Sequence, residues 1–121
     1  MVLVDTSVWV FHLRHGQPHL KELLRKGGVV CHPFVIGELA CGNLKNRHEI
    51  LSLLEALPEA TLAQHEEVLR MVENHSLMGI GLGYVDVHLL ASALLTGAPI
   101  WSEDSCLMSA ASRLDIAHRR T

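Results

Sequence analysis

No run of about 18 apolar residues occurs in the 121-residue chain, so no segment is predicted to span a membrane. No basic stretch precedes an apolar one near residue 1, and Asp5 interrupts the only candidate, so no secretory leader is expected. The three cysteines, Cys31, Cys41 and Cys106, are odd in number, lack C-x-x-C spacing and have apolar neighbours. They are expected as reduced, buried thiols in a cytoplasmic protein. Positive charge is also short: 10 Lys and Arg stand against 13 Asp and Glu, a net charge of −3 with His neutral. That counts against a protein that grips nucleic acid by bulk charge, although acids gathered in one pocket and offset by bound cations escape the argument. Repeats, low-complexity tracts and linkers are missing as well. With 49% apolar residues, the chain reads as one globular domain over residues 1–121.

What is present is an alternation. VLVD (2–5), GVVC (28–31) and APIWS (98–102) read as short buried strands, with weaker candidates in EATL (59–62) and IAH (116–118). Between them lie helical patterns at 7–16, 18–27, 33–42, 47–57, 64–78, 84–97 and 103–115, two opened by Pro18 and Pro33 and several closed by glycine. Strand followed by helix, repeated, predicts an α/β fold: a parallel sheet of four or five strands covered by helices on both faces. Ligands of such sheets sit beyond the carboxyl ends of the strands.

Two acids fall at that rim. Asp5 ends the first strand, and Asp104 follows Ile100–Ser102. Two more, Glu38 in PFVIGELACG and Asp86 in GYVDVHLLASALL, sit in helices apolar enough to be buried, where a carboxylate is costly. Four such acids share a site only if a cation offsets their repulsion. Carboxylates without cysteine or suitably spaced histidine suit hard cations, Mg²⁺ or Mn²⁺. One or two of these can orient a water, lower its pKa and assist in-line attack on phosphorus. Ser7 and Ser102 offer hydroxyls beside two of the acids. Taken singly, each acid has an ordinary reading: Asp5 as a helix cap, Asp86 and Asp104 as first-turn acids, Glu38 as a partly exposed helix residue.

The ordered set VLVDTSVWV, VIGELACG, GYVDVHLLASA and IWSEDSCL resembles the PIN-domain family, in particular its VapC-type toxins of bacterial toxin–antitoxin pairs. The resemblance implies a three-layer α/β/α PIN-like fold and endoribonuclease activity dependent on Mg²⁺ or Mn²⁺. It implies that Asp5, Glu38, Asp86 and Asp104 are the catalytic and metal-binding acids, with Ser7 and Ser102 as supporting hydroxyls. It also implies an RNA substrate, such as tRNA or another structured RNA, a homodimer and a cognate VapB-type antitoxin. Arg14, Lys45, Arg47 and Arg119, the last beside His118 and Arg120, are candidate contacts to RNA phosphates.

Other features invite less. GIGLGY (79–84) follows a helical pattern and lacks the context of a phosphate loop, so it is read as a flexible connector. His12, His15 and His19 are split by Gly16 and Pro18 and are read as surface residues; His88 is read as a core-packing residue or a partner contact rather than a ligand. A non-catalytic module that binds Mg²⁺, RNA or a partner remains the alternative, either receiver-like or a degenerate PIN domain. A receiver-like site wants paired early acids and a strand-end lysine, and a haloacid-dehalogenase-like phosphatase wants a D-x-D motif; here Ser7 stands two residues after Asp5.

Overall fold

In the computed structural model, which describes residues 1–119, the chain runs β1 (Val2–Val4), α1 (Thr6–His15), α2 (Pro18–Arg25), β2 (Val29–Val30), α3 (Pro33–Ala40), α4 (Arg47–Glu55), α5 (His65–His75), α6 (Tyr84–Thr96), β3 (Ile100–Trp101) and α7 (Ser105–Arg113). The strands are parallel in the order β2-β1-β3, with Leu3 opposite both Val30 and Ile100. Every strand residue is buried. This is the burial of a sheet covered on both faces, and it explains why the strands read as continuous apolar runs rather than alternating ones.

The sheet is narrower than the predicted four or five strands. The segments at 59–62 and 116–118 contribute single parallel bridges, Cys31 to Glu59 and Ile100 to Ala117. Pro58 precedes the first of these, and proline has no N–H to extend a ladder. The seven predicted helices all form, each trimmed at an end. Gly97, for example, takes φ 74° directly after α6 and closes it in the left-handed region that glycine adopts without strain.

Two expectations about single residues need correction. Only Cys31 is buried; Cys41 and Cys106 are exposed free thiols. Each lies at a helix end, where apolar neighbours in sequence turn away toward the core. Nor are His12 and His19 plain surface residues. His12 is half-buried, its Nδ1 accepting from the Gln17 N–H at 3.0 Å, and burial lowers its pKa with Lys21 adding to the effect. His19 is also half-buried, with its Nε2 2.8 Å from Nε2 of His118 and its ring edge-on to Trp101.

A buried polar hub joins the layers. His32 is fully buried before α3, and its Nδ1 accepts from the Phe34 N–H at 3.0 Å. The remaining ring proton therefore sits on Nε2, which donates to Ser92 Oγ on α6 at 3.0 Å. The same hydroxyl accepts from the Ala63 N–H at 3.1 Å. One serine thus ties α3, α6 and the segment before α5. His88 packs against His32 and Phe34, at ring separations of 5.1 and 4.3 Å, in keeping with the packing role read from sequence. Burial, with His88 adding to it, pushes the His32 pKa down to about 4.

Ser92→Ala strands two buried donors and should destabilise the protein by about 2–4 kcal/mol in urea unfolding at pH 7. An unchanged midpoint would show that the hub carries no stability. An unfolded His32 takes up a proton near pH 6.5, whereas the folded one resists until about 4. Stability should therefore fall as pH drops between those values, and His32→Asn, which retains an acceptor for Phe34, should flatten that slope.

Candidate active site

Parallel pairing of β1 with β3 brings Asp5 and Ser102 side by side, since the Asp5 N–H donates to the Trp101 carbonyl at 2.9 Å. The Asp5 backbone carbonyl starts α1 by accepting from Val8 and Trp9 at 3.1 and 3.3 Å. Its side chain does not cap that helix. It is instead buried at 8% exposure, where Oδ2 accepts from Ser102 Oγ at 2.7 Å and from Ser7 Oγ at 3.0 Å. Each hydroxyl spends its one proton on Asp5 and accepts in turn from a backbone N–H: Ser7 from Glu103 at 3.0 Å, Ser102 from Asp104 at 2.9 Å. Two donor chains therefore run from the loop after β3 into one carboxylate oxygen.

The other acids are placed by helix ends. Asp104 is the N-cap of α7, with Oδ1 accepting from Cys106 and Leu107 N–H groups at 2.8 and 3.2 Å. Asp86 lies in the first turn of α6, with Oδ2 accepting from the Gly83 N–H at 3.0 Å. The glycine-rich segment before α6 is the connector read from sequence. Gly81 within it has φ 90°, and an added Cβ would lie 3.3 Å from Cys106 Sγ, so this connector packs against the first turn of α7. Glu38 follows its ordinary reading as an exposed helix acid rather than the buried one: α3 buries Val35 and Leu39, but Glu38 is exposed. A helix with a mostly apolar sequence still keeps one face in water when only one side meets the core. Thr6, directly after Asp5, donates to Glu38 Oε1 at 2.6 Å and ties α3 to the start of α1.

Burial raises the Asp86 pKa, and the negative charges of Asp5 and Asp104 push it the same way, against the lowering effect of the Gly83 N–H. Ser102, bonded to both Asp5 and the Asp104 N–H, places these two acids at one end of the sheet; the negative charges of both act on Asp86, and Glu38 is linked to the start of α1 through Thr6. Among the described residues, hydrogen bonds engage one oxygen of each carboxylate and leave the second without a partner. No three His, Cys, Asp or Glu side chains among them form a ready-made ligand cluster. The donor set is nevertheless what a hard divalent cation requires: oxygen ligands, excess negative charge and hydroxyls to orient them.

The chain matches the PIN domain over residues 2–112. It belongs to the PIN-domain family. Ribonuclease VapC32 of Mycobacterium tuberculosis is 47% identical over 118 residues in both strain CDC 1551 / Oshkosh and strain ATCC 25618 / H37Rv. Each match covers 97% of this chain and 95% of the relative. The three-layer α/β/α architecture is that expected of a PIN domain.

Of the basic candidates, Arg14 and Lys45 line a groove that also contains Glu38. Arg47 donates to the Gly42 carbonyl at 3.3 Å beside that groove. Arg119 is exposed beyond the Ala117 bridge, on the far side of β3 from β1. Arg120 lies outside the described residues. Asn46, which stands between Lys45 and Arg47 in sequence, lines the same groove; sequence reading passed over Asn43, which also lines it, because nothing in a loop amide's neighbours marks it as facing a site.

The folded pKa of Asp86 lies above its ordinary value of 3.8, so the ionised group costs stability at neutral pH, and the cost vanishes as pH falls through both values. Asp86→Asn, which keeps an acceptor for Gly83, should raise the melting temperature in chelator by a few degrees. Mg²⁺ or Mn²⁺ should stabilise the wild type more than this variant. Equal stabilisation of both would remove Asp86 from the metal site.

Proposed function

We propose that this PIN domain is an endoribonuclease toxin that uses Mg²⁺ or Mn²⁺, acts on tRNA or another structured RNA, works as a homodimer in the cytoplasm and is held inactive by a cognate VapB-type antitoxin. The observation that carries the reading is the buried Asp5 carboxylate, held at the end of the sheet by Ser7 and Ser102 hydroxyls, with Ser102 also bonded to the Asp104 N–H. The relatives named as ribonucleases support the same chemistry.

In this reading Asp5, Glu38, Asp86 and Asp104 would hold the ion, each having one carboxylate oxygen that its hydrogen bonds leave unengaged. A bound divalent ion supplies Lewis acidity, lowering the pKa of water and offsetting charge that builds on the attacked phosphate. Ser7 and Ser102 fix the Asp5 carboxylate from one side, so its other oxygen has a defined direction. Glu103 and Asp104 N–H groups hold those hydroxyls in place. Arg14, Lys45, Arg47 and Arg119 serve as phosphate contacts that position the RNA.

Purified protein incubated with defined tRNAs and a structured RNA should cut with Mg²⁺ or Mn²⁺ and stop in chelator. Asp5→Asn and Asp86→Asn should each reduce cleavage by more than about 100-fold, and Ser7→Ala or Ser102→Ala by about 10- to 100-fold, without loss of fold. Normal cutting by both aspartate variants contradicts the assignment. Charge reversal at Arg47 or Arg119 should weaken RNA binding at low salt; unchanged affinity removes that residue from the interface.

A further inference from the structure

A groove of about 550 Å³ opens beside Glu38, between α1 and the segment that joins α3 to α4. The volume lies within the ~300–1,000 Å³ of pockets that take small organic groups. Its wall is apolar where Val10, Leu39, Leu44 and Ile50 meet. Apart from Glu38, its polar lining is cationic and amidic: Arg14, Lys45, Asn43 and Asn46. Among the described residues, ion pairs within 4.0 Å join Glu22 to Arg25 and Lys26, so neither Arg14 nor Lys45 is ion-paired at that distance, with Glu38 the one acid that shares their groove. Asn46 sits at φ 54° as the N-cap of α4 but makes no side-chain cap bond. Its amide, like that of Asn43, is not committed to holding the loop. Arg47 performs that task instead, bonding across to the Gly42 carbonyl.

We propose that this groove is a nucleotide subsite, which receives one unstacked nucleotide of the RNA next to the phosphate that is cut and reads its base. The inference rests on the ribonuclease reading above. Each part of a nucleotide has a counterpart: an apolar wall for the face of the base, two cations without an ion pair for phosphate, and two amides for the base edge. Amide side chains donate and accept at once, so they distinguish bases by edge pattern, which lone cations do not. Glu38 at the rim fixes the position of the subsite. A nucleotide seated here lies beside Glu38, one of the four candidate metal ligands, and this groove rather than the metal sets the base preference at one position flanking the cut.

The test uses the full chain in two arms. In chelator, each of the four nucleoside 5′-monophosphates is titrated while backbone amide resonances are followed. Saturable shifts at Leu39, Asn43, Leu44 and Ile50, weakened in Arg14→Gln, are expected. In Mg²⁺ or Mn²⁺, cleavage of a short RNA library randomised around the cut is sequenced for wild type and Asn43→Ala. The variant is expected to lose roughly 5- to 100-fold of the base preference at one flanking position. Asn43 is an exposed loop residue, so failure to fold does not obscure the result. Absence of groove shifts, or an unchanged base profile in Asn43→Ala, overturns the proposal. Shifts produced by an acidic apolar peptide and by no nucleotide also overturn it, making the groove a protein-docking surface. If nucleotides bind there but the wild type cuts no RNA with either metal, the nuclease reading fails and the proposal of a subsite beside a cut falls with it, leaving only a nucleotide-binding groove.

Discussion

The negative charge of Asp5 is buried, and hydroxyls rather than a cationic side chain meet it. Ser102 and Ser7 both deliver their protons to Oδ2, and both are themselves held by backbone N–H groups of the loop after β3. This arrangement is possible only because β1 and β3 are adjacent and parallel, which aligns Asp5 with Ser102 at one end of the sheet. The register of two short strands thus sets the geometry of the candidate site. Hydrogen bonds to a charged acceptor are worth more than neutral ones, and linked donors reinforce one another in a low dielectric. They do not cancel the charge, so the site keeps an electrostatic deficit that a divalent cation can fill.

The remaining acids share one design: each carboxylate does a structural task with one oxygen. Asp104 caps α7, Asp86 ties down the glycine-rich connector, and Glu38 accepts from Thr6. Side chains fixed in this way would lose little freedom on binding an ion, which is how preorganised sites gain affinity. The cost appears at Asp86, whose ionised form is disfavoured by burial and by Asp5 and Asp104. The reading of each acid as an ordinary cap or helix-end residue and its reading as a metal ligand are therefore compatible, since they use different oxygens.

Much of this was legible in the chain because local chemistry and global fold agree. Val2–Val4, Val29–Val30 and Ile100–Trp101 are apolar on both faces, as a covered parallel sheet demands, and prolines and glycines mark the helix ends. Legibility failed where long-range packing decides. Local sequence left open whether α3 buries Glu38 or leaves it in solvent, and gave no sign that Cys41 and Cys106 face outward despite apolar neighbours. The segments at 59–62 and 116–118 have strand-like sequences, yet each pairs at a single point. The partnership of His19 with His118 spans nearly the whole chain and has no local signature.

The central claim is that unengaged oxygens of Asp5 and its neighbours bind one divalent ion or an ion pair. Locating Mn²⁺ by anomalous scattering in crystals of the protein tests it most directly. The account predicts a peak about 2.0–2.3 Å from Asp5 Oδ1, with further ligands from Asp86, Asp104 or Glu38. Manganese found only at other surface acids, with the Asp5 carboxylate uncoordinated at saturating metal, would contradict it.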